Sequence, residues 1–129
     1  MSTGYDERLE PEECRRLLAS RSVARLAFVS AHGDVLVLPV TYAMDEAGVL
    51  VFRTSRAGIL SHLAEGERVS VQVDDVSEDL HNGWSVLGHG RAHHYEGEAL
   101  PRSWVAGHDE VVVGITLDRL SGRAVSASV

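Results

Sequence analysis

Residues 34–54 read DVLVLPVTYAMDEAGVLVFRT: two runs dense in valine, leucine and aromatic residues, Asp34 to Ala43 and Val49 to Thr54, joined by Asp45-Glu46-Ala47-Gly48. Such side chains suit a pleated, half-buried surface, and the glycine in the link offers the positive φ that a tight reversal needs. The stretch therefore predicts a β-hairpin. Upstream, Ser22 to Ser30 joins it through Ala31-His32-Gly33, a second hairpin. Downstream, Arg68 to Asp74, Trp84 to Tyr95 and Val111 to Asp118 have the same composition, bounded by Gly, Asp, Asn or Ser. These are six strands, and the two consecutive hairpins make an antiparallel meander of the first three.

Two helical stretches interrupt the strands. Leu9 to Ser20 opens with Glu10-Pro11-Glu12-Glu13, a proline suited to the first turn and acids suited to the positive end of the dipole. Its apolar residues Cys14, Leu17 and Leu18 fall at i, i+3 and i+4. Ser55 to Glu65 carries Ile59, Leu60, Leu63 and Ala64 at helical spacing, with Gly66 placed as a C-terminal cap. The fold expected is mainly β, a small closed or nearly closed six-stranded antiparallel barrel with two or three short helices. Residues 1–129 read as one domain, with residues 1–8 as a flexible extension.

Charge and composition exclude several functions. Twelve basic against nineteen acidic residues leave a formal net charge of -7, the wrong sign for neutralising duplex nucleic acid. All twelve basic residues are arginine. Without lysine there is no pyridoxal-phosphate Schiff base and no P-loop. The single cysteine, Cys14, makes neither an internal disulfide nor a thiolate zinc cage, and its place in a helical pattern marks it as a small buried hydrophobe. The first residues are acidic and polar, and no window approaches the run of about eighteen apolar residues that spans a bilayer. A soluble, cytoplasmic protein is expected.

Four groups of residues could carry chemistry. Phe52-Arg53-Thr54-Ser55-Arg56-Ala57-Gly58 runs from a strand end into a helix start, where free N–H groups, two arginines and two hydroxyls suit an anion. The plainer reading is a Ser or Thr helix cap with solvated arginines. His89, Arg91 and His93 share one face of a strand, but the spacing supplies no third metal ligand, so exposed histidines are the favoured reading and no metal is expected. Asp74 and Asp75, with Glu78 and Asp79, read as solvated loop acids before Asn82-Gly83. Trp84, in an aromatic-poor chain, either plugs a barrel end or walls a planar ligand. No G-x-S-x-G, H-E-x-x-H or G-x-G-x-x-G pattern occurs.

Taken in order, several stretches resemble the pyridoxamine 5'-phosphate oxidase-like family of flavin-binding split barrels common in actinobacteria. They are Glu12-Glu13-Cys14-Arg15-Arg16-Leu17-Leu18, Arg25-Leu26-Ala27, Leu38-Pro39-Val40-Thr41-Tyr42, Val51-Phe52-Arg53-Thr54, Val73-Asp74, Gly83-Trp84-Ser85-Val86, Gly90-Arg91-Ala92 and Gly122-Arg123. The resemblance implies a six-stranded split barrel that forms a homodimer, with two FMN sites between the subunits. By it, Arg53, Thr54, Ser55 and Arg56 hold the phosphate and Pro39, Val40, Thr41 and Tyr42 lie along the ring system. Trp84 and Ser85 come from the partner subunit. Ile59 stands where relatives often carry a cation, Thr41 where they carry asparagine and His89 where they carry arginine.

Only Arg119 and Arg123 lie near the C-terminus to grip a second phosphate, so a flavin-dependent oxidoreductase of some other small molecule is expected rather than a true pyridoxamine phosphate oxidase. A deazaflavin coenzyme-dependent reductase, a cofactor-free module and a haem-binding split barrel are the alternatives. The catalytic residues are left unassigned.

Overall fold

The structure, a computed structural model, describes residues 4–127. In chain order the elements are β1 (Tyr5–Arg8), α1 (Pro11–Ala19), β2 (Val23–Val29), β3 (Val35–Met44), β4 (Val49–Thr54), a 3-10 helix η1 (Ile59–Ala64), β5 (Glu65–Ser77), β6 (Asn82–His94) and β7 (Val111–Ser126). β2, β3 and β4 are the predicted meander. Each reversal places glycine at positive φ, Gly33 at 86° and Gly48 at 85°, where a Cβ would be strained. Asp45 secures the second turn, its carboxylate accepting from the N–H groups of Ala47 and Val49 at 2.9 and 2.8 Å.

The strands lie in the order β1-β7-β4-β3-β2-β5-β6, and β6 also pairs with β7. The six expected strands therefore close on themselves as an antiparallel barrel, and a seventh, β1, is added outside the ring. Its residues, Tyr5 to Arg8, pair with Ser126 to Arg123. This corrects the reading of residues 1–8 as a flexible extension, of which 1–3 lie outside the described residues. The cause is the length of β7: its pairing with β4 ends at Thr116, leaving an edge beyond that β1 occupies, braced by the Arg123–Asp6 ion pair. All four β1 side chains are exposed, so no hydrophobic pattern announced the strand.

Inside the barrel, Leu26, Leu50, Phe52, Val71, Val86, Val113 and Ile115 have no accessible surface. Each such side chain contributes roughly 1.5–3 kcal/mol by leaving water. α1 closes one end with Cys14, Leu17 and Leu18 buried and Pro11 in its first turn. Cys14 packs so closely that its Sγ would lie 2.8 Å from a Cβ added at Gly122, which is the hydrophobe's role expected of it.

The second helix is shorter and tighter than expected. It is capped by Gly58, with no side-chain hydrogen bond, so the Ser or Thr cap does not form. β5 begins before the expected Arg68 and runs past the expected end at Asp74 to Ser77, so Asp75, read as a loop acid with Asp74, is a strand residue, and the two pair with Trp84 and Ser85. The turn itself is Glu78 to His81, with His81 at φ 51°. No described helix is long and apolar enough to cross a membrane.

One seam of the barrel is open. β3 pairs with β2 from Val35 to Thr41 but with β4 only at Tyr42, Ala43 and Met44. Beyond those three, β4 continues through Arg53 and Thr54 bonded to β7 alone.

Candidate functional site

The open seam exposes backbone in an ordered way. Along β3 the Tyr42 N–H reaches back to the Ser22 carbonyl at 3.0 Å, whereas the Asp45 N–H reaches forward to Val49 at 2.9 Å. Antiparallel ladders alternate their hydrogen-bonding direction residue by residue. The odd-numbered residues Val37, Pro39 and Thr41 therefore aim their backbone groups into the seam, where no strand meets them. Val37 and Pro39 are exposed and Thr41 is half-buried, so these groups are open to water or to a ligand, and a flat heterocycle with polar edges is one that fits.

A cavity of about 280 Å³ lies there, lined by Val23, Pro39, Val40, Thr41, Arg53, Thr54, Leu60, Ser103, Trp104, Val105 and His108. Five sequence-selected residues, Pro39, Val40, Thr41, Arg53 and Thr54, are thus brought together. Ser55 and Arg56 follow in the turn. The Arg56 N–H donates to the Glu110 carboxylate at 3.1 Å, and Arg56 lines a neighbouring cavity with His62, His94 and Glu110. Arg53 is tied down already: its Nη2 and Nε donate to the Asp109 carbonyl at 2.8 and 3.2 Å. A guanidinium has five N–H donors, so three remain for a phosphate. Hydroxyl, guanidinium and open strand backbone are the donor set a flavin phosphate and ring would use.

Besides Ser55 and Arg56, three further selected residues, Tyr42, Trp84 and Ser85, are not in the cavity lining. Tyr42 points into the core, 4% exposed, its hydroxyl donating to the Leu18 carbonyl. Burial pushes its phenol up to about 12, with Arg21 opposing. Trp84 and Ser85 sit on β6, across from Asp75 and Asp74. There the Arg21 guanidinium stacks over the Trp84 ring, 5.4 Å from its centroid, while its Nη2 reaches the Asp75 carboxylate at 2.7 Å.

The histidines are dispersed among protein partners. His89 meets the Ser70 hydroxyl at 2.7 Å, His93 the Thr116 hydroxyl at 2.8 Å and His94 the Glu65 carboxylate at 3.0 Å. What sequence reasoning missed is the Glu96 to Glu110 segment, which supplies Ser103, Trp104, Val105 and His108 to the cavity. The available signal was Trp104, one of only two tryptophans.

A closed antiparallel barrel opened along one seam, with a pocket between the parted strands, defines a split-barrel protein. The family described as pyridoxamine 5'-phosphate oxidase matches residues 10–124, and the chain belongs to it. Among solved structures, the FAD binding protein from Mycobacterium smegmatis is similar at a TM-score of 0.75 and 22% identity, covering 93% of this chain and 98% of that one. A FAD-binding protein from Mesorhizobium loti gives a TM-score of 0.74 and 23% identity, covering 95% and 98%. A FAD and heme binding protein from Mycobacterium smegmatis gives 0.67 and 18%, covering 94% and 73%. Among curated proteins, no match was found.

Proposed function

We propose that this protein is a cytoplasmic, homodimeric flavin-binding oxidoreductase that acts on a small organic molecule. The observation that carries the reading is the seam. Unpaired backbone of Val37, Pro39 and Thr41 meets the donors of Arg53 and Thr54 around one cavity. In this reading the β3 edge holds the ring system by in-plane hydrogen bonds. Arg53, Thr54, Ser55 and Arg56 hold the phosphate by charge-assisted ones. A bound flavin supplies the electron-pair transfer that no side chain here can; the chain's own residues bind it, orient it and keep water from one side.

FMN is the first reading because the family resemblance implies it, and the turn after β4 offers donors for its phosphate. FAD is the second reading, supported by the similar structures described as FAD-binding. Dimerisation is supported by the outer face of β2, β3 and β6, where Val29, Val35 and Val37 are more than half exposed and Leu87 is 38% exposed. Apolar strand surface of that kind in an ordinary chain marks a contact face.

The deciding experiment is a titration of the purified protein with FMN, FAD and the deazaflavin coenzyme, followed by gel filtration. Retention of FMN bands with the protein is the expected result, and retention of FAD instead would reassign the cofactor. If none is retained, the flavin reading fails.

A further inference from the structure

Trp104 is 77% exposed, the most exposed large apolar side chain among the described residues, yet it lines the seam cavity. The segment carrying it is pinned on both sides of the indole. Thr41 Oγ1, on β3, donates to the Arg102 carbonyl at 3.2 Å. Arg53, on β4, donates twice to the Asp109 carbonyl at 2.8 and 3.2 Å. Within the segment, the Ser103 N–H donates to the Asp109 carboxylate at 3.0 Å. The two strands that part to form the seam are therefore also the two that hold Trp104 over its mouth.

A planar heterocycle needs two kinds of contact. Its edge takes hydrogen bonds, which the open β3 backbone offers, and its faces take apolar plates. Pro39, Val40 and Leu60 give apolar lining, and the aromatic rings at the cavity among the described residues are the Trp104 indole and the smaller, polar His108 imidazole, so the indole is the only broad apolar plate. We propose that Trp104 is the stacking residue of the seam site, packing on the flavin ring within its own chain, and that Thr41 and Arg53 position its segment for that contact. This rests on the flavin reading above. It assigns Thr41 and Arg53 a second task, and it places an aromatic wall in the same chain as the phosphate turn, in addition to whatever a partner subunit's Trp84 contributes.

The test uses FMN as the probe, with the native protein and the variants Trp104→Ala, Trp104→Phe and Trp84→Phe. Flavin fluorescence anisotropy reads binding, and tryptophan emission reads proximity to the flavin. Trp104→Ala is expected to bind FMN about tenfold more weakly, whereas Trp104→Phe, which keeps a ring, stays within about threefold of the native protein. In Trp84→Phe, whose only indole is Trp104, emission falls in step with FMN binding. Native-like FMN affinity in Trp104→Ala, or Trp104 emission unmoved while FMN is bound, overturns the stacking role and leaves the flavin reading intact. Failure of the native protein to bind either FMN or FAD overturns both.

Discussion

Arg53 gives two guanidinium protons to one acceptor, the Asp109 main-chain carbonyl, and its Nε lies 3.6 Å from the Asp109 carboxylate as well. A residue chosen from the sequence as an anion clamp is thus also a structural staple between β4 and the segment before β7. Hydrogen bonds from a charged donor contribute about 1.5–3 kcal/mol. Removing them frees the segment more than the barrel. Arg53→Ala is expected to raise amide exchange across residues 102–110 by an order of magnitude or more, with the β5 and β6 amides unchanged; uniform loss of protection would show that Arg53 supports the whole fold.

Tyr42 makes stability fall at alkaline pH. Its phenol is raised by burial from the ordinary value of 10 to about 12, so the unfolded chain releases this proton first. Stability from this group is complete below about pH 10 and is lost as pH rises towards about 12, a decline of roughly 2–3 kcal/mol. The chain has no lysine to titrate in the same range. Denaturant melts between pH 9 and 12 should show the decline in the native protein, and a flatter profile in Tyr42→Phe.

Gly90 sits at the irregularity where the β6–β7 register shifts between His89 and Gly90. A Cβ there would lie 2.0 Å from the Thr116 carbonyl oxygen, a backbone atom that cannot swing aside. Gly90→Ala should therefore cost about 1–3 kcal/mol, seen as a lowered melting temperature. An unchanged melting temperature would mean that β7 shifts freely at Thr116.

The Arg21, Trp84 and Asp75 cluster is an exposed one: the Arg21 and Asp75 side chains are 43% and 55% accessible. A double-mutant cycle between Arg21→Ala and Asp75→Ala should give a coupling below about 1 kcal/mol that shrinks further in salt. A large, salt-insensitive coupling would indicate that this edge is covered in solution.

Sedimentation should give twice the chain mass, and Val37→Asp, on the exposed outer face of β3, should shift the protein towards monomer. A native protein sedimenting as a single chain would remove the case for a site shared between subunits.

The barrel was legible because its strands carry a strong local signal. Val49 to Thr54 was read with its observed ends, and Gly33 and Gly48 marked the reversals correctly. β1 was not legible, since Tyr5-Asp6-Glu7-Arg8 has no buried face and forms only because β7 outruns β4. Asp75 was misplaced for a related reason: acids suggest loops, yet Arg21 faces it as an ion-pair partner, as Arg25 faces Asp74, the expected strand end. At the cavity, Arg53 and Thr54 were singled out by the local strand-to-turn pattern, whereas Pro39 to Thr41 were named only through the family resemblance. Trp104 was missed because its segment has no periodicity, and its place over the seam is set by hydrogen bonds from residues more than fifty positions away in sequence.

The unpaired half of β3 carries a hazard as well as a site. An open strand edge flanked by exposed Val35 and Val37 is a template on which another polypeptide strand could build, the first step of runaway sheet growth. Pro39 stands in that edge at a position whose backbone faces the gap, and proline has no N–H to offer an incoming strand. That residue thus withholds one rung of the ladder from an incoming peptide, which keeps the open edge from becoming a seed for the barrel's own aggregation.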